Sequence, residues 1–182
     1  DLDLHYALHI SELSVSRGYV LASELVTIRE FRDFVPDVLY WQIPAAGYGF
    51  FTLHSVTLAG APVQPDWLNF GATMVLDLPD DVAAPVEIGI DFQLDVGGPE
   101  ADGWGYLAVD ADVLRLGYCF PQISDDHPFS VTLDPSYTRV AEFDVMLDLD
   151  AGLEFSHSGE VTRSEQLADG LVRYYLHGEN IR

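Results

Sequence analysis

Six histidines, one cysteine and 30 carboxylates set against eight basic residues decide which chemistry this chain can attempt. His5 and His9 stand four residues apart, a spacing that brings two imidazoles to one zinc ion on a helix. Their neighbours argue for a strand instead, because Leu4, Tyr6, Leu8 and Ile10 alternate with His5, Ala7 and His9. On a strand, residues i and i+4 lie ~13 Å apart, too far to share an ion. The pair is read as exposed strand histidines. Asp125-Asp126-His127, Asp110-Ala111-Asp112, Asp77 with Asp80 and Asp81, and Asp148-Leu149-Asp150 offer oxygen ligands. None has the spacing of a calcium loop. All are read as solvated turns, and no metal site is expected in the chain.

Nucleophiles fare no better. Cys119 lies between Tyr118 and Phe120 and reads as a small core residue. There is no Gly-x-Ser-x-Gly elbow, no Gly-x-Gly-x-x-Gly and no phosphate loop. A carboxylate pair for glycoside hydrolysis stays open, but nothing singles one out. No catalytic residue is assigned. Among the aromatics, Trp41, Trp67 and Trp104, with Tyr40, Tyr48, Tyr106 and Phe70, have the chemistry of a sugar-stacking platform. Trp104, between Gly103 and Gly105, is the best placed for exposure; Trp41 and Trp67 read as core.

These residues need a scaffold, and alternation supplies it. Ile88, Ile90, Phe92 and Leu94 alternate with polar partners, as do Phe143, Val145, Leu147 and Leu149. Further strands are expected at Tyr19–Arg29, Leu39–Ile43, Gly49–Leu58, Thr73–Leu78, Val113–Leu116, Thr138–Leu149, Leu153–His157 and Leu171–His177. Turns are expected at Arg17-Gly18, Ala59-Gly60-Ala61-Pro62, Leu78-Pro79-Asp80-Asp81, Gly97-Gly98-Pro99 and Ala168-Asp169-Gly170. No window sustains a helical repeat. The expectation is an all-β fold: a multi-sheet sandwich or saddle-like domain of short antiparallel strands, spanning residues 1–182 as one unit. Segments 96–112 and 121–128 are expected to be long loops, where binding residues usually sit.

The 182 residues are 48% hydrophobic and 21% charged, enough for a sizeable core. The formal net charge is −22, and every basic residue is arginine. Such a surface repels phosphate, which excludes nucleic-acid partners and disfavours anionic membranes. One cysteine cannot build a disulfide framework. No run approaches the ~20 apolar residues of a membrane span. No basic-then-apolar signal peptide opens the chain, so cytoplasmic and exported locations both stay open. The chain starts Asp1-Leu2-Asp3 and is expected to have been cut from something longer.

Taken in order, several segments resemble the N-terminal β-domain of zinc aminopeptidases of the membrane alanyl aminopeptidase family, the gluzincins that include leukotriene-A4-hydrolase-like enzymes. Leu4-His5-Tyr6-Ala7-Leu8-His9-Ile10, then Gly18-Tyr19-Val20, are similar to the family's first two strands. Ala72–Pro79 and Pro85–Phe92 are similar to its paired strands before a glycine-rich loop. Leu116-Gly117-Tyr118-Cys119-Phe120-Pro121-Gln122-Ile123, followed by Asp126-His127-Pro128, resembles its aromatic–Pro step and the turn after it. Val140–Val145 and Phe155–Gly159 resemble a later strand pair. Tyr174-Tyr175 with Gly178–Arg182 resembles the stretch before the catalytic domain.

The resemblance implies a capping domain over a substrate cleft, with the downstream catalytic domain of the same polypeptide as partner and a peptide as substrate. Zinc is then carried downstream, on the family's His-Glu-x-x-His, which this chain lacks. The chain alone is expected to be inactive. The family often uses a Glu or Gln before the aromatic–Pro step to hold the substrate ammonium. Here that run is Val113-Leu114-Arg115-Leu116-Gly117, with neither. Tyr118, Phe120, Gln122 and Trp104 are the substrate-cleft candidates. A carbohydrate- or calcium-dependent β-sandwich binding module and a ligand-free scaffold domain are the competing readings.

Overall fold

A computed structural model describes residues 2–13, 18–96, 107–110, 113–117, 120–124 and 139–181. The described residues form fourteen strands, and the long central ones follow the alternation. They are β1 (Leu2–Leu13), β2 (Tyr19–Phe31), β3 (Val38–Gln42), β4 (Phe51–Leu58), β5 (Ala61–Pro62), β6 (Asp66–Leu68) and β7 (Thr73–Asp77). Then come β8 (Val86–Asp95), β9 (Leu107–Asp110), β10 (Val113–Leu116), β11 (Gln122–Ile123), β12 (Ala141–Asp150), β13 (Glu160–Gln166) and β14 (Leu171–Ile181). A one-turn helix, α1 (Pro44–Gly47), links β3 to β4.

Eight strands form one sheet in the order β13-β14-β12-β1-β2-β8-β4-β5. Four form a second, β11-β3-β7-β6, and β9 and β10 pair antiparallel as a separate two-stranded sheet. The fold is all-β and sandwich-like, as expected. Two features depart from a set of short antiparallel strands: β1 and β12 pair in parallel, Tyr6 beside Phe143 and Leu8 beside Val145, and β1 and β2 run 12 and 13 residues.

Inward rows of the large sheet are Leu4, Tyr6, Leu8 and Ile10 on β1 and Val86, Ile88, Ile90, Phe92 and Leu94 on β8. The small sheet sits over them through Leu39, Trp41 and Ile123. Tyr6 couples the layers: its ring stacks on Phe143 at 4.8 Å, and its hydroxyl accepts the Ile123 amide at 2.9 Å. That hydroxyl is fully buried, and burial holds its pKa far above the ordinary phenol value.

Some sequence expectations need correction. Leu153–His157 is not a strand; the chain there is irregular and the strand starts at Glu160. Part of the loop expected over 96–112 is strand β9. Asp148 is not a solvated turn residue but is buried within β12, at 4% exposure. Trp67, expected in the core, is instead 36% exposed on β6, meeting Phe51 edge-on.

Outward rows carry the acids, so like charges crowd one surface. Self-repulsion of a −22 chain opposes compaction. Raising NaCl from about 0.1 M to about 1 M shortens the Debye length from about 10 Å to about 3 Å. The melting temperature should then rise by roughly 4 °C, equivalent to about 1–2 kcal/mol for a domain of this size. A scanning-calorimetry series that stays flat would show that repulsion does not limit stability.

Candidate functional site

Two places on the molecule concentrate chemistry. The first is an apolar cleft of about 490 Å³. Its floor is the inward face of β1, β12 and β14, including Leu8, Phe143, Val145 and Leu176. Leu114 and Leu116 of β10 form one wall, and Phe120, Gln122 and residues 155–158 the rest. Phe120 meets Phe143 edge-on at 5.5 Å and Tyr6 at 6.4 Å. Register places Gln122 directly beside Gln42 on β3. Both are buried, and Gln122 Oε1 and both Gln42 amide atoms have no hydrogen-bond partner among the described residues. The cleft therefore suits an apolar group, with an unused acceptor at Gln122.

The second place is the outward face of the large sheet, where β1, β12 and β14 lie side by side. His9 Nε2 lies 2.9 Å from Asp148 Oδ2. Arg173 donates to the same carboxylate twice, from Nε at 2.6 Å and Nη2 at 2.8 Å. Those Arg173 bonds, helped by His9 and opposed by burial, hold the Asp148 carboxyl below its ordinary value. Four residues along each strand the pattern returns. His5 Nε2 lies 2.9 Å from Asp144 Oδ2, and His177 Nδ1 lies 2.9 Å from Asp144 Oδ1. Burial pushes the Asp144 carboxyl up, but hydrogen bonds from His177 and His5 outweigh it and leave it lowered. The Asp144 bond raises the His177 pKa in turn. Beside them Arg29 pairs with Glu142, which lowers that carboxyl.

Of the four cleft candidates, the structure brings Phe120 and Gln122 together. Tyr118 and Trp104 lie outside the described residues, as do Cys119 and Asp125-Asp126-His127. His5 and His9 share one face as expected, but each serves a different aspartate. Asp80 and Asp81 are exposed turn residues. Sequence reasoning passed over His177, Asp144 and the buried Glu24. Their only signal was the polar or apolar phase of each strand. Glu24 broke that phase, occupying an inward position between Ala22 and Val26.

No family model and no curated protein matches the sequence. Solved structures do match. An M1 zinc metallopeptidase from Deinococcus radiodurans, solved with a Tyr-Ser-Ala substrate, matches with TM-score 0.63 and 13% identity over 97% of this chain and 38% of that one. Aminopeptidase A of Legionella pneumophila gives 0.57 and 14% over 97% of this chain and 20% of that one. Yeast LTA4 hydrolase gives 0.54 and 10% over 96% and 26%. The likeness is one of fold, and the chain spans well under half the length of each of these proteins.

Proposed function

We propose that this chain is the N-terminal, non-catalytic domain of a zinc metallopeptidase that removes residues from peptide N-termini, and that it walls the substrate cleft. The observation that carries this reading is the match of 97% of the chain to one portion, 38%, of an M1 zinc metallopeptidase. The sequence contains no His-Glu-x-x-His. Hydrolysis by zinc-activated water needs about three protein ligands around one open position in a substrate cleft, and the reading assigns that catalytic zinc to a downstream domain.

Phe120 and Gln122 fit the wall of such a cleft, one by its ring and the other by its unused carbonyl. Tyr118 and Trp104 are proposed with them from their place in the sequence. Arg115, exposed on β10, repels a substrate ammonium where the related enzymes often carry Glu or Gln. Phe70, 94% exposed beside Trp67 and Leu68, offers apolar surface of the kind a neighbouring domain covers.

Aminoacyl-p-nitroanilide hydrolysis tests the reading. The 182-residue chain should show none, and the full polypeptide should show activity that a chelator abolishes and zinc restores. Turnover by the isolated chain, or a full polypeptide without chelator-sensitive peptidase activity, would overturn it.

A further inference from the structure

The outward face of the large sheet repeats one motif, and the two copies differ at one position. In each, a histidine of β1 and a residue of β14 grip an aspartate of β12 from opposite sides. In the first copy the gripping residue is Arg173, whose two short bonds to Asp148 provide a permanent cation. That copy is electrically closed. In the second copy His177 stands where Arg173 stands in the first, one repeat of four residues along β14. Asp144 has two imidazoles as its hydrogen-bond partners and, among the described residues, no guanidinium bonded to it. Glu142 and Glu179 adjoin it, Glu179 Oε1 lying 3.7 Å from His177 Nε2. Arg29 pairs with Glu142 and also acts electrostatically on Asp144, without a hydrogen bond to it.

From this geometry we infer that His5, Glu142 and Asp144 bind a divalent transition-metal cation, with His177, seated on the other Asp144 oxygen, as a further nitrogen donor. Ligand atoms of His5, Glu142 and Asp144 already lie within 4.8 Å of one another. Zinc bound tetrahedrally at ~2.0–2.2 Å sets neighbouring ligand atoms ~3.3 Å apart. His5 Nε2 and His177 Nδ1 each lie 2.9 Å from Asp144, on different oxygens, so His5, Glu142 and Asp144 close on an ion first and the His177 ring swings in to complete the set. Two nitrogens with carboxylate oxygens favour zinc-like ions over calcium or magnesium. A ligating His177 Nδ1 leaves its Nε2–H toward Glu179, the outer-shell carboxylate that orients many metal-bound histidines. The local charge also fits: three carboxylates and one guanidinium leave two negative charges for a divalent ion.

The site lies within the 182 residues, so its test needs no peptidase activity. Zinc chloride is titrated calorimetrically into the chelator-treated chain, and melting is followed with and without zinc. One equivalent should bind, releasing protons from the imidazoles, and the melting temperature should rise. His5→Ala and His177→Asn should each weaken binding by at least about tenfold. His54→Ala, altering an exposed histidine on β4, should leave it unchanged. Arg29→Gln should tighten binding by freeing Glu142. Cobalt(II) should give the visible absorption of a four-coordinate complex, and magnesium at equal concentration no heat. Absence of saturable zinc binding by the folded wild-type chain overturns the assignment. So does binding that both folded histidine variants retain in full.

Discussion

Asp148→Ala should lower the unfolding free energy by about 3 kcal/mol, the low end of what breaking a buried ion pair costs. The carboxylate is only 6% exposed at its side chain, and it satisfies both Arg173 and His9. Without it, a guanidinium that is 24% exposed is left with no anion. A loss of this size should bring the melting temperature down by roughly 6–12 °C for a domain this long. The pH dependence has a definite sign. The folded carboxyl titrates below its unfolded value of 3.8. Its contribution is therefore complete above about pH 4 and is lost as pH falls through the folded value. The variant should show a flatter acid limb. Urea unfolding across pH 2–7 would check both statements, and an unchanged midpoint would refute them. Asp148→Leu combined with Arg173→Met should recover much of the loss, because removing both charges leaves neither one uncompensated.

Glu24→Leu should have the opposite effect and stabilise the domain. Glu24 is 3% exposed, faces inward between Leu8 of β1 and Ile90 of β8, and neither carboxyl oxygen has a hydrogen-bond partner among the described residues. Burial pushes its pKa well above the ordinary 4.5. Leaving such a group unpaired costs about 1–3 kcal/mol even when it is protonated. Above about pH 4.5 the unfolded chain releases the proton while the folded chain retains it. Wild-type stability then falls by ~1.4 kcal/mol per pH unit until the buried group ionises. The gain from Glu24→Leu should thus be about 2 kcal/mol at pH 4 and larger at pH 7. Equal unfolding curves at both pH values would mean that the carboxyl has a partner in solution.

Both sites show how far a sequence carries such a fold. Rows with a clean apolar phase, such as Leu4, Tyr6, Leu8 and Ile10, were legible because a half-buried strand imposes a period of two. Edge strand β13 was not, since all seven of its residues are exposed and leave no apolar phase to detect. The apolar residues of Leu153–His157 suggest a strand, yet Phe155 packs against the core from irregular backbone. Phe120 and Gln122 could be singled out because they sit in a recognisable local run. The His5–Asp144–His177 group could not, because Asp144 lies 139 residues from one partner and 33 from the other. Only pairing register brings them together, and register depends on neighbouring strands rather than on local composition. Asp148 was misread for the same reason: its burial comes from Arg173 and His9 across the sheet.

The parallel pairing of β1 with β12 also constrains how the molecule is made. β1 can pair with β2 as soon as both have been synthesised, but its other edge must wait for residues 141–150. Throughout that interval one of the longest strands presents an unpaired edge, which invites association with other chains. Closing a loop this long also slows folding relative to hairpin formation. The polar outward row of β1, with Asp3, His5 and His9, together with the heavy excess of negative charge, repels other copies during the wait. The acidity that costs the finished domain some stability therefore protects the nascent one, until β12 arrives and covers that edge.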